Sequence, residues 1–278
     1  MYNKFLIEKV IKNALLEDMN YGDMTTDLLI DKGETSEAVL TAKEEGIIAG
    51  LPIVETVFKL LDDTLTFDAM KEDGDAVKAG EDIARIKGST KSILKGERVA
   101  LNFIQRLSGI ASKAKLYAQM VEGTSVRIVD TRKTTPGLRA LEKYAVRMGG
   151  CWNHRFNLSD AVMIKDNHIK AVGGIAEAIK KARQNIPHTT KIEVEVENLE
   201  QLKEALGAKA DIIMLDNMDV AHMKEAAMLT KKRAILEASG NITEERIKDI
   251  VATGVDVISV GALTHSVKAM DISLNILK

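Results

Sequence analysis

Six segments of the 278-residue chain end an apolar run in a hydrophilic group: VRIVDTRK, VMIKDNH, IEVEVEN, DIIMLDN, AILEASGN and VISVGALTHS. As strands of one parallel sheet, they gather Arg132, Lys133, Lys165, Glu195, Asp216, Ser239 and Gly261 along the edge where the strands end. From Thr131 to His168 there are seven basic residues against three acidic ones, a balance of +4. From Lys191 to Asp219 there are three lysines against eight acids, a balance of −5. The two blocks predict a mouth that is cationic on one side and anionic on the other. Cations at that density suit a small polyanion, because guanidinium groups bond carboxylates and phosphates bidentately. Glu195 and Asp216, on neighbouring strands, suit a hard divalent cation such as Mg²⁺, which takes one or two carboxylates together with substrate phosphate oxygens. Ser239-Gly240 and Val260-Gly261-Ala262 offer backbone N–H groups of the kind that hold phosphate after late barrel strands. A metal-bound diphosphate beside a second small anion satisfies both blocks.

Each of these residues also has an ordinary structural explanation. Arg and Glu at strand ends commonly form surface ion pairs. Glu193 and Glu197 share the strand face of Glu195, so a one-residue slip in register turns Glu195 away from the mouth. A lone His154 is more readily a hydrogen-bonded structural residue, and its place beside Arg155 in a basic run favours anion binding. Cys151 and Trp152 read as packing residues, His188 and His222 make no case for chemistry, and His265 is a weak candidate near the mouth. A Schiff-base aldolase built on Lys165 needs a lysine desolvated enough to lose its proton. Lys165 instead stands beside Asp166 and His168 in a polar stretch. A non-catalytic anion sensor would not need an acidic pair opposite the cations.

The elements that position these residues follow from periodicity. Phe5, Leu6, Val10, Ile11, Ala14 and Leu15 predict a helix over residues 3–18. Short runs between Ser36 and Lys87, with turns at Glu72-Asp73-Gly74-Asp75 and Ala79-Gly80-Glu81, predict a small sheet of hairpins interrupted by a helix from Pro52 to Leu61. The D-G-D-x-V-x-x-G wording there also occurs in lipoyl and biotinyl carriers, but no modifiable lysine stands on a hairpin tip. A helix from Ser92 to about Val121 follows, and after it strands alternate with helices: 126–131, 161–165, 191–197, 210–217, 233–240 and 255–263. Glu195, Asp216, Ser239 and Gly261 recur at intervals of 21, 23 and 22 residues, one βα unit per step. No G-x-G-x-x-G follows a strand, so a barrel is preferred to a doubly wound sheet.

Composition narrows the class further. The charge of −2 argues against a general nucleic-acid binder. One cysteine excludes an internal disulfide, the N-terminus lacks a secretory apolar core, and no run of about 18 apolar residues spans a membrane. The chain is expected in the cytoplasm.

Taken in order, Gly96-Glu97-Arg98, Leu107-Ser108-Gly109-Ile110-Ala111, Asp130-Thr131-Arg132-Lys133-Thr134, Pro136-Gly137-Leu138-Arg139, Asn153-His154-Arg155, Met163-Ile164-Lys165-Asp166-Asn167-His168, Glu193-Val194-Glu195, Leu215-Asp216-Asn217, Glu237-Ala238-Ser239-Gly240 and Val260-Gly261-Ala262-Leu263-Thr264-His265-Ser266 closely resemble the quinolinate phosphoribosyltransferases. The resemblance runs over essentially the whole chain. It implies an α/β fold with an N-terminal α/β sandwich over 1–110, onto which 268–278 packs back, and a C-terminal incomplete α/β barrel over 111–267. The reaction implied converts quinolinate and 5-phosphoribosyl 1-diphosphate into nicotinate mononucleotide, diphosphate and CO₂ in NAD biosynthesis, with Mg²⁺ as cofactor. The resemblance also implies a homodimer, open to higher assembly, in which Arg98 is donated across the interface. Arg132, His154, Arg155 and Lys165 would hold the quinolinate carboxylates. Lys133 would meet the phosphoribosyl substrate, with Glu195 and Asp216 at its ribose and metal, and Thr131 would be a further substrate-binding residue. Ser239, Gly240, Asn241, Val260, Gly261 and Ala262 would receive its 5-phosphate; relatives often carry glycine where Asn241 stands. Lys133, Glu195 and Asp216 are the residues expected to carry the chemistry.

Overall fold

A computed structural model describes residues 4–277, so Asn3 of the predicted first helix and Lys278 lie outside the described residues. Among them the strands are β1 (Thr35–Ala42), β2 (Gly46–Ile47), β3 (Thr66–Ala69), β4 (Ala76–Val77), β5 (Asp82–Ser89), β6 (Arg127–Val129), β7 (Val162–Ile164), β8 (Ile192–Val196), β9 (Ile212–Asp216), β10 (Ile235–Ser239), β11 (Val257–Ser259) and β12 (Ile272–Leu277). The chain divides into two compact units, one of Met1–Leu116, Thr134–Gly150 and Ala262–Lys278, the other of Tyr117–Lys133 and Cys151–Gly261.

The first unit carries an antiparallel sheet in the order β12-β1-β5-β3, in which Ala38 pairs with Ile276 on one side and Ile86 on the other. Ala38, Leu40 and Ala42 of β1 are completely buried, the period-two pattern of a sheet with one face on a core. The helix Leu51–Leu61 buries Ile53, Val54, Val57 and Phe58. Its N-terminus needs a cap that Gly50 cannot supply. The Asp73 carboxylate accepts from the Gly50 and Leu51 N–H groups at 2.8 and 3.0 Å, placing an anion where the helix dipole favours one. Tyr144 donates to the same carboxylate at 2.6 Å and ties the helix Arg139–Met148 to that turn. Arg106, on the helix Thr90–Met120, reaches the same segment. Its Nε and Nη2 donate to Glu142 Oε1 at 2.9 and 2.6 Å, and Nη2 also donates to Thr135 Oγ1 at 2.7 Å. The C-terminal segment lies against that long helix at Gly109, where any Cβ would fall 2.1 Å from the Lys268 carbonyl oxygen.

The second unit is a row of six parallel strands in the order β6-β11-β10-β9-β8-β7. Its strands are nearly continuous buried runs, as in Ile213, Met214 and Leu215, because helices cover them. The helices Leu199–Gly207 and Glu244–Val251 bury Leu202, Ala205 and Leu206, and Ile247 and Ile250. β6 and β7 end the row, and no strand pair joins them among the described residues. The 22-residue rhythm predicted a barrel; the sheet supplies six of its strands and leaves the ring open. The outer strands are shorter than their apolar runs, since the run after Ser259 turns into the short helix Ala262–His265. No described helix is long and apolar enough to cross a membrane.

Candidate active site

Register decides which side chains share a face. Met163 pairs with Glu193, Glu195 and Glu237 both pair with Met214, and Ser239 pairs with Asp216. With side chains alternating along each strand, Lys165, Glu193, Glu195, Asp216, Glu237 and Ser239 therefore share one side of the sheet. The slip that would have turned Glu195 away does not occur. Lys165 Nζ donates to Glu195 Oε2, an ion pair in which the carboxylate is 15% exposed. The backbone N–H of Lys165 is held by His168 Nδ1 at 3.0 Å, at the start of the helix Asp166–Val172.

Deeper on the same face, the His154 imidazole meets two buried carboxylates. Nε2 lies 3.3 Å from Glu193 and 3.5 Å from Glu237. Burial pulls the imidazole down, and the hydrogen bonds and charges of Glu193 and Glu237 overcome it, pushing it up to about 10. Burial likewise raises Glu193. The Arg155 N–H donates to His154 Nδ1 at 2.7 Å, which assigns the ring's own proton to Nε2.

Arg155 leaves this cluster toward β7. Its Nη1 donates to the Ala161 carbonyl at 2.9 Å and its Nη2 lies 3.5 Å from Met163 Sδ. Burial and the nearby Arg132 charge both push the Arg155 guanidinium down, so two arginines lie close together in a partly desolvated place. An anion with more than one negative group relieves that repulsion. Lys133 is exposed, its backbone N–H held by Thr131 Oγ1 at 3.0 Å.

The ends of β9 and β10 are knitted together. Asn217 N–H donates to the Ser239 carbonyl at 2.9 Å, and its side chain donates to Asp216 Oδ2 at 3.0 Å and accepts from Asn241 Nδ2 at 3.1 Å. Gly240 has φ +90°, and a Cβ there would lie 2.2 Å from Asn217 Oδ1. Asn241 is exposed, with its side chain spent on Asn217. Val260 N–H donates to the Val129 carbonyl at 2.9 Å, which aligns the end of β11 beside β6. Gly261 closes the second unit, Ala262 begins the last segment of the first, and Arg98 is exposed on the first unit's long helix.

Glu195 and Asp216 bring oxygens of the type a hard cation takes. Glu195 keeps Oε1 and Asp216 keeps Oδ1 beyond the bonds already made through Oε2 and Oδ2, two half-buried donors on adjacent strands.

The charge blocks counted along the chain do not all reach this face. Glu142 and Lys143 are completely buried in the first unit. Lys191, Lys209 and Asp211 line a cleft of about 730 Å³ at the opposite end of the sheet, where the strands begin. There Asp211 and Asp256 cap the N–H groups of Ile192 and Leu236 at 2.8 and 2.9 Å, a structural duty. Counting by block missed this because lysines that close helices and acids that open strands are as common as those that end strands. Three residues given no role from sequence also emerge: Asp130, Glu193 and Glu237, all buried. Their signal was a charge set inside an apolar strand, as in IEVEV and ILEAS. Trp152, expected to pack, is 43% exposed and covers the Arg127 guanidinium at 4.3 Å.

Parallel βα strands ending in a two-signed polar face define an α/β anion-handling protein, and comparison with known proteins gives the family. The family described as quinolinate phosphoribosyl transferase matches twice, its N-terminal domain at residues 23–108 and its C-terminal domain at residues 110–275. The "Probable nicotinate-nucleotide pyrophosphorylase (carboxylating)" of Bacillus subtilis (strain 168) is 48% identical over 99% of this chain and 94% of its own length. The chloroplastic nicotinate-nucleotide pyrophosphorylase (carboxylating) of Arabidopsis thaliana is 44% identical over 97% of this chain and 82% of its own. The crystal structure of NadC from Streptococcus pyogenes superimposes with a TM-score of 0.95 at 44% identity, covering 100% of this chain and 99% of that one. The chain belongs to the quinolinate phosphoribosyltransferase family.

Proposed function

We propose that the chain transfers the phosphoribosyl group of 5-phosphoribosyl 1-diphosphate to the ring nitrogen of quinolinate, giving nicotinate mononucleotide, diphosphate and CO₂ in NAD biosynthesis. The observation that carries this reading is the shared face of β7 to β10, which sets Lys165 against Glu195 with Asp216 and Ser239 on the same side, while Arg155, close to Arg132, feels the charge of Glu193 on that face. Arg132, Arg155 and Lys165 receive the two ring carboxylates, while His154, expected among them, supports Arg155 instead, because both its ring nitrogens are engaged, Nε2 with Glu193 and Glu237 and Nδ1 with the Arg155 N–H. Lys133 and Thr131 meet the phosphoribosyl substrate. Ser239, Gly240, Asn241, Val260, Gly261 and Ala262 receive its 5-phosphate, Asn241 through its backbone because its side chain is bonded to Asn217.

In the first step the ring nitrogen's electron pair forms a bond to the anomeric carbon as the bond from that carbon to the diphosphate oxygen breaks. Positive charge develops on the ribose, and Glu195 and Asp216 are the carboxylates beside it. Mg²⁺ held at the free oxygens of those two residues would neutralise the departing diphosphate. Lys133 steadies the same departing charge. The cationic side fixes the angle at which the ring nitrogen approaches, so positioning is its main contribution. In the second step the bond from the ring to the adjacent carboxylate breaks. The pair left on the ring carbon is stabilised by the now cationic nitrogen, and that carbon takes a proton.

A homodimer with Arg98 donated to the neighbouring site fits the first unit's surface. Arg98 is exposed, as are Leu16, Met24, Leu28 and Leu29 in the helices Lys4–Asp18 and Met24–Leu29 and Tyr21 in the turn between them, an apolar set that a second copy would cover. Purified protein incubated with Mg²⁺, quinolinate and 5-phosphoribosyl 1-diphosphate tests the reaction: diphosphate and nicotinate mononucleotide form in equal amounts, and release of neither rejects it.

A further inference from the structure

We propose that Asp130, Glu193 and Glu237 are positioning residues: together they fix the Asn153–Arg155 segment, and through it the direction in which the Arg155 guanidinium meets a ring carboxylate. The proposal rests on the quinolinate reading above. Asp130 grips the segment from one side. Its carboxylate, completely buried, accepts from the His154 backbone N–H at 2.9 Å and from Asn153 Nδ2 at 2.7 Å. Its own N–H donates to the Trp152 carbonyl at 3.1 Å. Glu193 and Glu237, 2% and 3% exposed, grip the imidazole through Nε2. The opposite ring nitrogen, Nδ1, then takes the Arg155 N–H. Main chain at residues 152, 154 and 155 and side chains at 153 and 154 are thereby all fastened, just before the guanidinium.

Burying three carboxylates is costly unless each is paired, and one oxygen, Glu237 Oε1, has no hydrogen-bond partner at all. A simple apolar core would avoid that cost. Fixing the segment explains it, because bidentate recognition of a planar carboxylate by Arg fails when the fork drifts by about 1 Å. The three residues come from β8, β10 and the end of β6, so the rigid sheet itself becomes the reference frame for Arg155.

Glu237→Gln and Glu193→Gln keep the side-chain volume and remove the charge. Each is expected to raise KM for quinolinate roughly 10- to 100-fold, the range seen when residues behind a binding group are altered. KM for 5-phosphoribosyl 1-diphosphate should stay within about twofold, since Glu193 and Glu237 bond His154 rather than Glu195 or Ser239, the residues two positions on along the same strands that are assigned to it. Should either variant fail to fold, Asn153→Ala removes only the side-chain donor to Asp130 and keeps all three carboxylates; the same selective rise, smaller in size, is expected. Trp152, the sole tryptophan, directly precedes the segment, so its fluorescence during a quinolinate titration should shift in half-saturation by the same factor. An unchanged quinolinate KM, or an equal worsening of both KM values together with turnover, overturns the positioning role. A wild type inactive in the same assay overturns the quinolinate reading itself, which separates the two failures.

Discussion

The His154 imidazole stands 3.3 Å from the carboxylate of Glu193, two residues before Glu195 on the same strand face. Three groups, His154, Glu193 and Glu237, thus bring their polar atoms within 4.8 Å of one another, with Arg155 and Asp130 bonded to the same histidine.

This cluster predicts a pH dependence of stability. The unfolded chain gives up the histidine proton near 6.5, whereas the folded cluster keeps it to about 10. The folded state therefore binds more protons between those values, and stability must fall as pH rises through that window. The stabilisation is complete below about 6.5 and lost above about 10. Urea midpoints of the wild type should decline across it, and those of His154→Asn should decline less. Parallel curves for the two proteins would contradict the assignment.

Lys133→Ala and Arg155→Ala should each lower turnover or kcat/KM by roughly 100-fold or more, the scale of removing one charge-stabilising donor. Lys133 is exposed and Arg155 only partly buried, so thermal midpoints should stay near that of the wild type. Near-normal kinetics in either folded variant would remove that residue from the site.

Gly240→Ala sets a methyl group 2.2 Å from Asn217 Oδ1 at a backbone angle of +90°. A cost of about 1–3 kcal/mol in stability is expected from that strain. KM for 5-phosphoribosyl 1-diphosphate should rise more than KM for quinolinate, because the displaced loop joins β9 and β10 rather than the Arg155 segment. Equal effects on the two substrates would count against a phosphate role for this loop.

Exchange between subunits can be read by complementation. Arg98→Ala and Lys133→Ala are each expected to be inactive alone. Mixed and allowed to exchange, they should recover about a quarter of wild-type activity, since half of randomly paired dimers carry one intact site of two. No recovery from a mixture that sizes as mixed dimers would mean that Arg98 serves its own subunit or none.

Much of this arrangement was legible in the residues themselves. The 22-residue rhythm of Glu195, Asp216, Ser239 and Gly261 located the strand ends because each βα unit repeats one length, and register then set Lys165 against Glu195. What stayed hidden depended on contacts between distant segments. Nothing near Arg139–Met148 in the sequence indicates that Arg106 and Asp73 hold that helix in the first unit. Glu193 shares the strand face of Glu195, and the sheet has depth that gives each its own layer: Glu195 to Lys165, Glu193 to His154. A periodicity of two identifies a face and says nothing of the layer within it.

The reaction joins transfer of the phosphoribosyl group to loss of the carboxylate beside the ring nitrogen. Quinolinate labelled in that carboxylate, incubated with the protein and Mg²⁺, measures it directly. Labelled CO₂ should appear only when 5-phosphoribosyl 1-diphosphate is added, one for each diphosphate released. Diphosphate release without labelled CO₂, or labelled CO₂ without the phosphoribosyl donor, would contradict that coupling.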